Sequence, residues 1–82
     1  MYSIQRLASM LTGGDVVAGC YYKILKAVHD GNLGEYDLNI DIYCNALSFL
    51  ESCHAIKMID SDDWIITNFG KDVVTRAENM EK

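Results

Sequence analysis

The chain has 82 residues, half of them apolar, and carries 12 acidic against 7 basic side chains for a formal net charge of −5. That length supports one hydrophobic core and excludes a two-lobed enzyme with a cleft between domains, and the apolar content excludes a disordered chain. The excess of acid argues against a surface that grips polyanions indiscriminately.

Residues 3–11 place Ile4, Leu7, Ala8 and Leu11 at helical spacing, with Ser3 positioned to cap them. Thr12, Gly13 and Gly14 end that segment, and Asp15 is the natural cap of a second helix over residues 16–29. On it Val17, Cys20, Tyr21, Ile24, Leu25 and Val28 form one apolar stripe, while Lys23 and Lys26 lie outside the stripe. Asp30, Gly31 and Asn32 tolerate a left-handed backbone and stop the helix. Residues 33–39 are polar, with Leu33, Tyr36 and Leu38 as burial candidates, and form either a short extended piece or one helical turn.

A third helix runs from residue 40 or 41 to residue 53, its stripe made by Tyr43, Ala46, Leu47 and Leu50 and widened by Phe49 and Cys53. Two β-compatible pieces follow, residues 55–59 and 64–67, joined by the acidic tip Asp60, Ser61, Asp62 and Asp63. Strand alternation sends Trp64 and Ile66 to the core face and leaves Ile65 outward. Thr67 or Asn68 caps a last helix over residues 69–80, with Phe69, Val73, Ala77 and Met80 spaced for burial. Gly70 allows the first turn of that helix to approach the hairpin closely. The expected fold is therefore mainly α with a small β-hairpin. One domain spans residues 1–82, with a core over 16–67 and flanking helices at 3–11 and 68–80.

The pattern Tyr43-x-x-Ala46-Leu47-x-x-Leu50-Glu51 leading into Ala55-Ile56, and then Trp64-x-Ile66-Thr67-x-x-Gly70, resembles the winged helix-turn-helix superfamily, including small phage and bacterial regulators. The resemblance implies a third helix laid in the major groove of double-stranded DNA, with the wing on backbone or minor groove. It also has a departure, because only residues 34–39 stand where a full second helix would be. On this reading the DNA contacts fall to Tyr43, Asn45, Ser48 and Ser52 on the third helix, with Lys57, Lys71 and Arg76 beside it. An Asn amide can pair bidentately with adenine, and a Ser hydroxyl can reach base or phosphate. The same helix, however, has Asp41 and Glu51 and neither Lys nor Arg.

The leading expectation is thus a small cytoplasmic transcription regulator contacting DNA through its third helix. The alternative is an acidic adaptor or inhibitor of the same fold that meets a basic protein surface. In that case Asp60, Asp62, Asp63 and Ile65 form the interface, with Asp30, Glu35, Asp37 and Asp41 adding to the field. Tyr2 and Tyr22 are, like Ile65, hard to place in the core, and would rim such an interface. The two terminal helices are amphipathic and are expected to pair across a two-fold in a homodimer.

Catalysis is not expected, and neither is a cofactor. Cys53 and His54 are adjacent on a helix and diverge by about 100 degrees, so they are poorly placed as a nucleophile and base. Cys44, Cys53 and His54 lack the paired spacing of a closed metal site. The odd cysteine count and the absence of a signal-type apolar region point to a reducing compartment, with the thiols acting as small hydrophobes. No run of about 18 apolar residues is present for a membrane span.

Overall fold

Local chemistry sets the ends of the first two helices. The structure, a computed structural model, describes residues 2–60 and 63–80. Helix α1 (Ile4–Leu11) is capped by Ser3, whose hydroxyl accepts from the Arg6 backbone N–H at 3.1 Å. Helix α2 (Val16–Asp30) is capped by Asp15, which accepts from the Val17 N–H at 2.8 Å. Gly31 ends α2 at φ 79°, and the next N–H, that of Asn32, turns back to the Ala27 carbonyl at 2.8 Å. A single 3-10 turn, Leu33–Glu35, follows. Of the two forms expected for this stretch, the helical turn is the one adopted.

Helix α3 (Asp41–Ser52) closes through His54, which sits at φ 64°. The N–H of Ala55 bonds the Leu50 carbonyl and that of His54 the Glu51 carbonyl, both at 2.9 Å. Left-handed helix ends of this kind normally take glycine, so a histidine here is a local strain. Strands β1 (Ile56–Met58) and β2 (Trp64–Ile66) pair antiparallel, with Ile56 opposite Ile66, Lys57 opposite Ile65 and Met58 opposite Trp64. Helix α4 (Asn68–Met80) leaves the hairpin directly.

The junction between hairpin and α4 is held by three residues. The Thr67 hydroxyl accepts from the Gly70 N–H at 3.0 Å and donates its own proton toward the carbonyls of His54 (2.6 Å) and Ala55 (3.0 Å). The Thr67 N–H also reaches the Ala55 carbonyl, at 3.1 Å. Gly70 is buried against that same carbonyl, as its lack of a side chain allows.

Helix α2 packs mainly on α3 and α1 mainly on α4, while the hairpin touches all three of α2, α3 and α4. The result is a mainly helical fold with one two-stranded sheet around a single core. Leu7, Ile24, Leu25, Leu50, Ile56, Val73 and Val74 are its largest fully buried side chains. Each contributes roughly 1.5–3 kcal/mol relative to an exposed position. Leu7, Ala8 and Leu11 of α1 share this core with Val73, Val74 and Ala77 of α4.

Several burial expectations need correction. Val17 is 47% exposed and Met80 43% exposed, although both continue their helical stripes. Spacing assigns a residue to a face, but burial also needs a neighbour opposite, and at these helix ends the stripe outruns the core. Val74 and Ala27 fill core positions in their place. Tyr2 and Tyr22 are half-buried against the core, not at a free rim, and Tyr2 places its ring 6.0 Å from that of Phe49. Among the cysteines only Cys53 is buried, and burial pushes its thiol pKa up; Cys20 is half-buried and Cys44 exposed.

Candidate interaction surface

The residues proposed to read DNA separate into different surroundings. Asp41, Asn45, Ser48 and Ser52 are all exposed, and their spacing of four, three and four keeps them on one face of α3. The Ser52 hydroxyl already donates to the Phe49 carbonyl at 2.7 Å. Tyr43 is off this face: it is half-buried, with its ring edge-on to Tyr36 at 5.4 Å and 87°.

The three cations assigned to the same surface are all exposed. Lys57 stands opposite the outward Ile65 and lines a shallow groove with Glu51 and His54. Its immediate setting thus includes a carboxylate. Lys71 and Arg76 lie five residues apart on α4, which turns them about 140 degrees from one another. They do not form one strip along that helix. Of the other cations, Lys26 is bonded to Glu78, tying α2 to α4. That bond raises the Lys26 ammonium above its ordinary range and lowers the Glu78 carboxyl below its own.

The acidic side of the hairpin is arranged differently. Asp60 and Asp63 are exposed, and backbone bonds close the turn between them: Ile59 N–H to the Asp63 carbonyl at 3.0 Å and Asp63 N–H to the Asp60 carbonyl at 3.3 Å. Asp62, named with them as an interface residue, lies outside the described residues. Ile65 is 44% exposed on the outward face, as strand alternation requires. Asp30 pairs with His29 at 2.8 Å, and that hydrogen bond lowers the Asp30 carboxyl.

Beside the hairpin lies a cavity of about 330 Å³, walled by Val28, Leu33, Tyr36, Leu38, Asp63 and Trp64, with Gly31 and Gly34 at its edge. It is built where the end of α2, the 3-10 turn and the start of β2 meet. Sequence spacing identified Leu33, Tyr36 and Leu38 only as burial candidates and Trp64 only as a core residue. They are half-buried instead, because the loop between Gly31 and Asn39 covers the core incompletely. The signal was the lone apolar residues in a polar stretch, but their partner Trp64 is too distant in sequence for local pattern to pair them.

Among the described residues no group of three or more His, Cys, Asp or Glu is placed to hold a metal ion, and no helix is long and apolar enough to cross a membrane. Comparison of the chain with protein-family models, curated proteins and solved structures gives no match.

Proposed function

We propose that this chain is a non-catalytic interaction module of winged-helix type, and that it engages a basic protein surface through its acidic hairpin side. In this reading α2 and α3 correspond to the first and third helices, the 3-10 turn replaces the second, and the hairpin is the wing. The observation that carries the choice of partner is the distribution of charge. Asp60 and Asp63 stand exposed at the wing tip, where phosphates would have to approach, and the exposed face of α3 has Asp41 and no cation. Phosphate contacts supply most of the affinity of DNA-binding proteins, so an α3 face without Lys or Arg weakens the case for a groove-reading helix.

DNA recognition through α3 is the second reading, favoured by one feature: Asn45, Ser48 and Ser52 share an exposed helical face. The two are separated by titrating a labelled lysine- and arginine-rich peptide and a labelled mixed-sequence duplex side by side at ~50 mM salt, where phosphate contacts are strongest. The proposal expects saturable peptide binding that weakens with salt, and no shift of the duplex. Duplex binding without peptide binding would overturn it.

A further inference from the structure

We infer that the cavity between Tyr36, Leu38 and Trp64 receives an arginine side chain of the basic partner, with Asp63 as its carboxylate. The inference rests on the partner class proposed above and adds where the contact is made and which residue type makes it. The walls supply two half-buried aromatic residues and the aliphatic Leu38, and Asp63 is the carboxylate among the lining residues. A long side chain with an apolar stem and a planar cation matches that lining: the stem lies on Leu38, and the guanidinium meets the aromatic residues and forks onto the carboxylate. At about 330 Å³ the cavity is at the lower end of ligand pockets, suited to one side chain more than to a larger molecule. Charge complementarity selects the occupant. Glu35 and Asp37 are exposed on the same loop as Tyr36, Asp60 is exposed across the turn from Asp63, and among the described residues no basic side chain lines the cavity. Lysine is the weaker fit, because its compact, strongly hydrated ammonium neither stacks nor forks.

Trp64 is the chain's single tryptophan and lines the cavity, so selective excitation of it gives a signal from one residue of the cavity wall. The experiment titrates the protein with tri-arginine, tri-lysine and an uncharged Gly-Ser peptide, in wild type, Asp63→Asn and Gly34→Leu. Asp63→Asn retains the turn, whose bonds are made by the Asp63 backbone. A β-carbon at Gly34 meets no atom within 4 Å, so Gly34→Leu adds bulk at the cavity edge without a clash at that atom. Circular dichroism confirms that both variants are folded. The expected result is a saturable change in Trp64 emission with tri-arginine, about threefold weaker for tri-lysine and absent for Gly-Ser. Asp63→Asn and Gly34→Leu should each weaken tri-arginine by about threefold to tenfold.

No saturable change in folded wild type, or a change undiminished in both variants, would overturn the inference. Anisotropy of the labelled basic peptide distinguishes that failure from failure of the wider reading. A peptide that binds wild type and is weakened by Asp60→Ser, measured alongside, while Trp64 stays silent rejects the cavity and leaves the basic-partner reading standing. Loss of both signals rejects both.

Discussion

A β-carbon on Gly70 would lie 2.1 Å from the Ala55 carbonyl oxygen. It would also meet Ile66 Cγ1 at 2.7 Å. The first neighbour is backbone, held in place by two bonds from Thr67, so it cannot swing aside as the end of a side chain would. Gly70→Ala is therefore expected to cost about 3 kcal/mol, at the upper end for overpacking. The melting temperature should fall by more than about 10 °C. Thermal denaturation followed by circular dichroism checks this, and an unchanged midpoint would mean the hairpin is not clamped to α4.

Thr67 makes the complementary contact. Its hydroxyl caps α4 at the Gly70 N–H and reaches back to the His54 and Ala55 carbonyls. Thr67→Val keeps the shape and removes the cap, for an expected loss of about 1–2 kcal/mol. Thr67→Ser should recover most of it. Urea unfolding of both variants separates the hydroxyl's role from the methyl's.

His54 presents the opposite case. At φ 64° it holds a conformation that a side chain disfavours, and it is exposed. His54→Gly should stabilise the fold by about 1 kcal/mol and raise the melting temperature by about 4–8 °C. His54→Val should do the reverse. A midpoint that falls for His54→Gly would show the imidazole making a contact that outweighs the strain.

The link between α2 and α4 gives stability a pH dependence of known sign. The Glu78 carboxyl is lowered from its usual 4.5 by its bond to Lys26, so its contribution is present above that value and disappears as pH falls through the lowered one. Lys26 is raised from its usual 10.5, so its contribution is present below that value and is lost as pH rises through the raised one. Asp30, lowered chiefly by its bond to His29, adds to the acid limb. Glu78→Gln should flatten both limbs of a plot of melting temperature against pH between about 2 and 11. A variant whose acid limb matches that of wild type would contradict the pairing.

What the sequence reveals here depends on how local the physics is. Ser3, Asp15 and Gly31 mark helix ends through bonds spanning two to five residues, so their roles are legible from neighbours alone. The close approach at Gly70 was also readable, since a glycine just inside a helix following a strand has few other reasons to be there. The left-handed His54 was not, because histidine, though enriched among non-glycine residues there, adopts that conformation only in a small minority of cases. Val17 and Met80 were assigned to the core by a periodicity that is blind to where the neighbouring element stops. The Lys26–Glu78 bond spans 52 residues, and only the fold brings its partners together. The cavity has the same origin: Tyr36 and Trp64 belong to different elements and meet only in the folded chain.

The proposal that the acidic wing tip meets a basic partner is tested most directly by an association rate. Asp60→Ser with Asp63→Ser removes two exposed charges at the tip, and Glu51→Gln with Asp72→Asn removes two exposed charges elsewhere, leaving the same net charge. If the tip steers the partner, the first pair should slow association with an arginine-rich peptide at low salt by roughly threefold or more relative to the second. The difference should shrink as salt approaches about 0.5 M, where screening shortens the reach of the field. Equal rates for the two variants at low salt would contradict the account, because the wing tip would then be acting only as part of the net charge.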